Sequence, residues 1–283
     1  MMKPRLVAET DRPMNVIPPL TIFVDESGST EFGAPKEGEP KKALAVVAVA
    51  VPTMHFEAFR SLLPRTAAGK FLKAQDKEFH AGTALTFVNK LISSTAEVGA
   101  FLANPGAPEN VELARERAAR ANRGRAKARE KQEIVEGKRQ HPDITPRDLH
   151  YFDFLVKAVL KCIEAYTARN SRPSFVDIVI DTMDVDEFQR EWFKREFIRV
   201  ADEHELTIRR IDWKTEQEEP LLLLPDLLGG ILCREERYRD VGEAATKLWD
   251  AERDGRFKFL NKPPSERAAE AEGGSDGEEA IAL

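Results

Sequence analysis

The sequence predicts a mixed α/β fold, a sheet opened by an antiparallel hairpin and covered by helices. Three observations carry that expectation. Two apolar, β-branched runs, Leu20 to Val24 and Ala43 to Val51, are separated by the polar stretch EFGAPKEGEPKK. That stretch has the Gly/Pro punctuation of a loop and no helical periodicity, and parallel strands normally need a helical crossover, so the two runs read as a hairpin. Further along, strand-like and helix-like segments alternate, as βα units do. At 283 residues the chain has ample length for a well-buried core, in one large domain or two small ones.

The first strand follows Pro18-Pro19 and ends in the polar cluster Asp-Glu-Ser-Gly-Ser-Thr. After the second strand, Pro52 to Ala67 is expected to be helical, with Phe56, Phe59 and Leu63 on one face. KEFHAG, Lys77 to Gly82, reads as a short turn or strand leading into a helix from Thr83 to Ser94. Glu97 to Leu102 alternates as a third strand, and NPGAP, Asn104 to Pro108, breaks the chain. Val111 to Arg139 holds ten Arg or Lys against five Glu without an apolar stripe, an exposed basic helical insertion. Phe152, Leu155, Val156, Val159, Leu160, Ile163 and Tyr166 then fall on one face of a core helix.

SFVDIVID, Ser174 to Asp181, is a strand ending in an acid; Phe188, Trp192, Phe197 and Val200 mark the next helix. LTIRRIDW, Leu206 to Trp213, is another strand, and LLLLPDLLGGIL, Leu221 to Leu232, a buried helix enclosing Asp226. Arg234 to Asp250 is expected to continue as a more polar helix. The domain therefore runs over 18–240, interrupted by the insertion at 105–147. A C-terminal extension, 241–263, and a disordered acidic tail, 264–283, follow.

The net charge of −6 gives no global sign of nucleic-acid binding, so any such surface must be local. With only Cys162 and Cys233, far apart, a disulfide framework or cysteine-rich zinc site is excluded and a reducing compartment expected. MMKPRLVAETDRP lacks the apolar core of a signal peptide, and no apolar stretch approaches the ~20 residues of a membrane span. The expectation is a soluble cytoplasmic protein of undetermined oligomeric state. Neither GxxxxGK[ST] nor GxGxxG occurs, which weakens P-loop, kinase and dinucleotide readings.

Three acids stand where carboxylates are costly: Asp25 and Asp181 close buried strands, and Asp226 interrupts an apolar helix. A strand-end Asp alone is ordinarily a cap or turn former. Three that converge would repel one another unless a divalent cation neutralised them, and Mg²⁺ or Mn²⁺ favours such hard oxygen donors. Two such cations can activate water and stabilise the leaving oxygen of a phosphodiester.

FVDESGS with its hairpin loop, KEFHAG, IVIDTMD and PLLLLPDLLGGIL together resemble the domain-of-unknown-function 3800 family over roughly Leu20 to Arg237. That family opens with Asp-Glu-Ser-Gly and closes with a Leu-Gln-Leu-Ala-Asp-Leu-like helix, from which this chain departs at Leu223 and Pro225. The resemblance implies a ribonuclease-H-like mixed sheet with helices on both faces and a metal-dependent nuclease activity. Asp25, Asp181 and Asp226 would then be metal ligands, with Glu78 as the fourth acid and Glu26 second in line. His80 would orient a phosphate or water, or move a proton; a histidine satisfied at a helix start fits equally well. Asp184 and Asp186 are expected to cap a helix.

Two other functions are open. Asp25-x-Ser27-x-Ser29 also matches the DxSxS pattern of von Willebrand A-type adhesion sites, although there the motif runs directly into a helix. A non-catalytic module of the same fold could instead bind nucleic acid through the basic insertion, or a protein through the insertion or the acidic tail.

Overall fold

The computed structural model describes residues 20–28, 44–103 and 146–260 apart from 174, 183–186, 205 and 239–240, with 116 and 119 besides. Nearly all of the expected insertion, the acidic tail, Ser29, Asp184 and Asp186 lie outside the described residues.

β1 (Leu20–Gly28) and β2 (Leu44–Pro52) form the expected antiparallel pair, in unbroken register from Leu20 opposite Pro52 to Gly28 opposite Leu44. β3 (Glu97–Ala103) adds antiparallel to β2. On the other side of β1, β4 (Val176–Asp181) and β5 (Ile208–Lys214) add parallel. A sixth strand, β6 (Phe257–Leu260), closes the far edge parallel to β3. The chain is therefore α/β, with a six-stranded mixed sheet ordered β5-β4-β1-β2-β3-β6.

Because strand side chains alternate, each strand supplies both faces of the sheet. Phe23, Val47, Val49, Val98, Ala100 and Val179 face one core. It is covered by α1 (Phe56–Leu62), α2 (Ala81–Ile92), α5 (Leu223–Tyr238) and α6 (Gly242–Arg253). Ile22, Val24, Val46, Ala48, Ile178 and Ile180 face a second core under α3 (Pro146–Arg169) and α4 (Glu187–Glu203). A sheet buried on both sides explains why β2 reads as an uninterrupted apolar run.

Three expectations need correction. The helix expected over Pro52 to Ala67 is a 3₁₀ turn, Thr53–His55, and then α1, which stops at Leu62. Pro64 is the reason: the residue before a proline is driven out of the helical region, and Leu63 is extended at φ −63°, ψ 128°. The single helix expected beyond Arg234 is two, α5 ending at Tyr238 and α6 starting at Gly242, with Val241 buried between them. Of the residues expected as an extension, 241–263, the described ones, 241–260, supply α6 and β6 to the same core and sheet. β6 is only four residues long, and Gly255, at φ +75°, makes the turn before it.

Candidate active site

The strand ends bring the acids together. β1 and β4 are neighbours in parallel register with Val24 beside Ile180, so the next residues, Asp25 and Asp181, lie side by side, strands being ~4.8 Å apart. Alternation places both on the face covered by α5, two residues beyond Phe23 and Val179. Asp25 is 5% exposed.

Asp226 arrives from α5. It lies not in mid-helix, as expected, but in the first turn, after the 3₁₀ turn Pro220–Leu222. Pro225 is tolerated so near a helix start, and a carboxylate is favoured there by the helix dipole. Asp226 Oδ2 accepts the backbone N–H of Ala74 at 3.0 Å, pinning the loop before α2 onto α5. Gly230, one turn further, allows that contact: a Cβ there would lie 2.3 Å from the Cβ of Ala74. Glycine inside a helix costs about 1 kcal/mol relative to alanine, and here it permits the loop to seat.

Burial, then the charges of Glu26, Asp226 and Asp181, push the Asp25 carboxyl well up. Asp181 is raised from the ordinary 3.8 to about 6, by burial first and then by Glu216. Burial also raises Asp226, with Glu216 adding and the Ala74 N–H and Lys73 opposing. Asp177 shows what a settled carboxylate looks like. It lies on the same strand and face as half-buried Asp181 and is itself buried, but Arg209 embraces it, Nε donating to Oδ1 at 2.8 Å and a second guanidinium N–H to Oδ2.

The cluster contains residues that sequence reasoning missed. Glu216, in the turn after β5, carries charge that bears on both Asp181 and Asp226. Lys73 binds Glu216, Nζ to Oε1 at 2.6 Å. Asp76 accepts the Lys73 N–H on Oδ2 at 2.8 Å and also bears on Asp226. The signal for Lys73 and Asp76 was the run KAQD, Lys73 to Asp76, directly ahead of KEFHAG.

A cleft of about 460 Å³ opens at this end of the sheet. Its walls include Glu26, Ser27 and Gly28 of β1, Ala74, Asp76, Lys77 and Phe79 of the loop, and Asp226 and Gly230 of α5. Of the expected site residues only Asp226 and Glu26 line it; Asp25, Asp181, Glu78 and His80 are not among its walls. Glu78 is exposed, and its carbonyl accepts the Thr83 hydroxyl at 3.2 Å. His80 caps α2, Nδ1 accepting the Thr83 N–H at 3.4 Å, and lines a separate cavity with Leu62, Thr86 and Lys90. β1 is regular through Gly28, so Glu26 points opposite to Asp25, though its charge reaches both Asp25 and Asp181. The strand runs on through Ser27 and Gly28, and the residues where the adhesion-site pattern would have its helix, 29–43, lie outside the described residues.

The donor set fits a hard divalent cation: one buried and two half-buried carboxylates, each raised away from its charged form by burial and neighbouring acids. Among the described residues, however, no three His, Cys, Asp or Glu side chains already close on one point as a metal cage. A cation would have to draw the cluster together.

The raised carboxyls predict an unusual dependence of stability on pH. Between pH 4 and 6 the folded protein keeps a proton on Asp181 that the unfolded chain has released. Stability should therefore fall as pH rises through that window and then level off, by at most about 3 kcal/mol from this group. Buried Glu97, whose carboxyl is pushed up to about 7 by burial, contributes in the same sense at higher pH. The Asp181 share is thus the difference between wild type and Asp181→Asn in melting temperature, measured in EDTA from pH 4 to 8. A slope between pH 4 and 6 that is the same in both proteins would contradict it.

The chain matches no protein-family model and no curated protein. Among the described residues no helix is long and apolar enough to cross a membrane.

Proposed function

We propose that the chain is a metal-dependent nuclease that hydrolyses phosphodiester bonds of DNA or RNA, using Mg²⁺ or Mn²⁺ held by Asp25, Asp181 and Asp226. One observation carries the reading: carboxylates come from two adjacent strand ends and a helix start, and each is raised by burial and by neighbouring acids, Asp25 by the charges of both Asp226 and Asp181. Asp177, on the same strand as Asp181, is by contrast paired with Arg209. The sheet supports the ribonuclease-H-like reading of the fold, because its opening strands are antiparallel and β4 and β5 add parallel to β1.

Bound cations would supply Lewis acidity to the phosphoryl oxygens and lower the pKa of the attacking water. The chain's part is to hold charge in place. Asp25 and Asp181 are fixed by the sheet, and Asp226 is fixed through its bond to the Ala74 N–H. Each of Asp25 and Asp226 spends one oxygen on a backbone N–H, of Glu26 at 2.7 Å and Ala74 at 3.0 Å, leaving the other as a donor toward a cation. The Arg- and Lys-rich insertion is suited to the nucleic-acid backbone, whose recognition needs charge but no sequence information.

The absence of a ready-made cage among the described residues favours a second reading, a non-catalytic or partner-dependent binding module. One experiment separates the two. Titration of Mn²⁺ into the full chain, followed by incubation with single- and double-stranded DNA and RNA, should show saturable binding and EDTA-sensitive cleavage. Binding of nucleic acid without Mn²⁺ binding or cleavage would establish the second reading.

A further inference from the structure

We propose that Lys73 is the internal counter-ion of the acid cluster, the positive charge that a divalent cation would displace; only the displacement rests on the cation reading. The carboxylates Asp25, Asp181, Asp226 and Glu216 lie at one end of the sheet, and the Lys73 ammonium is bound to the last of them. Lys73 Nζ binds Glu216 at 2.6 Å, and the charges of Glu216, Asp226 and Asp181 all raise its pKa. An isolated pair this exposed, with Lys73 at 41%, would contribute little. This one is different because its ammonium also opposes the repulsion on Asp181 and Asp226.

The placement is built in rather than incidental. The Lys73 N–H is held by Asp76 Oδ2 at 2.8 Å, and the next N–H, of Ala74, by Asp226 itself. Both ends of the arrangement are thus anchored, the lysine's backbone on the cluster's helix and its side chain on the turn after β5. A cation entering between the acids would meet a like charge already in place. It would have to take Glu216 from Lys73, which leaves the ammonium free beside the cleft. Lys73 is a positioning residue in this account, and Glu216 rather than Glu78 is the further acid of the centre.

The test compares Lys73→Met, which keeps the apolar stem without charge, with Lys73→Arg, which keeps the charge. In EDTA at pH 8, Lys73→Met should melt at least about 3 °C below wild type, since about 1 kcal/mol shifts a chain of this size by roughly 2–4 °C. Lys73→Arg should restore most of the loss, and the loss should shrink in an Asp181→Asn background, as a double-mutant cycle reads for coupled charges. By calorimetry, Lys73→Met should bind Mn²⁺ roughly fivefold more tightly and Glu216→Gln more weakly than wild type. Equal melting of Lys73→Met and wild type in EDTA, or a loss unchanged by Asp181→Asn, would overturn the counter-ion. Weaker Mn²⁺ binding by Lys73→Met would overturn the displacement. If the melting results hold while no protein binds Mn²⁺, the counter-ion stands and the cation reading of the cluster falls.

Discussion

Asp25→Asn is expected to lose Mn²⁺-dependent cleavage by at least about 10³-fold while making the metal-free protein more stable. The two effects have one origin. A carboxylate that would hold a cation contributes several kcal/mol of charge stabilisation, and each 1.36 kcal/mol is tenfold in rate. Without a cation the same buried charge is a liability, surrounded by Glu26, Asp181 and Asp226. The amide keeps the shape, and its oxygen can still accept the Glu26 N–H that Oδ1 accepts at 2.7 Å. Asp177→Asn is the control. Because Asp177 is paired with Arg209, its amide should weaken the fold and leave cleavage in place. Cleavage assays on both variants, with melting curves in EDTA, read the contrast. An active Asp25→Asn, or one less stable than wild type, would remove Asp25 from the centre.

Gly99→Ala carries the largest expected effect on stability. Gly99 lies in β3 directly beneath α3, and a Cβ there would meet the backbone N of Cys162 at 2.2 Å and the backbone O of Ala158 at 2.3 Å. Both obstacles are helix backbone, so no side-chain rotation relieves them. The strand cannot retreat either, because β2 and β6 hydrogen-bond it on both sides. Overpacking of this kind costs about 3 kcal/mol or more, which for a chain of this size is a fall of roughly 6–12 °C in melting temperature. The acid cluster belongs to the opposite face of the sheet, so Mn²⁺ affinity of the folded variant should stay within about twofold of wild type. A melting temperature within 2 °C of wild type would mean that α3 does not seat on β3 as described.

The elements that dominate the fold were legible in the residues because each buries itself in a recognisable pattern. Leu20 to Val24 and Ala43 to Val51 are apolar on both sides, as strands between two helical layers must be. The helix of Phe152 to Tyr166 shows its single buried face. The misreadings have equally local causes. Pro64 stopped a helix that periodicity alone would have continued, and β6 was too short to show a pattern at all.

What the sequence determined by itself is the chemistry on offer: acids closing apolar strands, one acid among leucines, and a hairpin directly after the first of them. It singled out Asp181 for closing its strand and passed over Asp177, four residues earlier on the same strand. The tertiary structure supplies the reason for the difference, setting Arg209 against Asp177 and the charges of Asp25 and Glu216 near Asp181. For the fourth acid the sequence offered Glu78, with Glu26 second, and it did not raise Glu216 or Lys73 at all. Glu78 and His80 lie in a motif that draws the eye, yet they serve the start of α2. Glu216 and Lys73 lie 143 residues apart and meet at 2.6 Å. The physical reason is range. Apolar burial and backbone hydrogen bonding follow a period that neighbouring residues reveal, whereas the field at a carboxylate is the sum of charges that the chain brings together only when it folds.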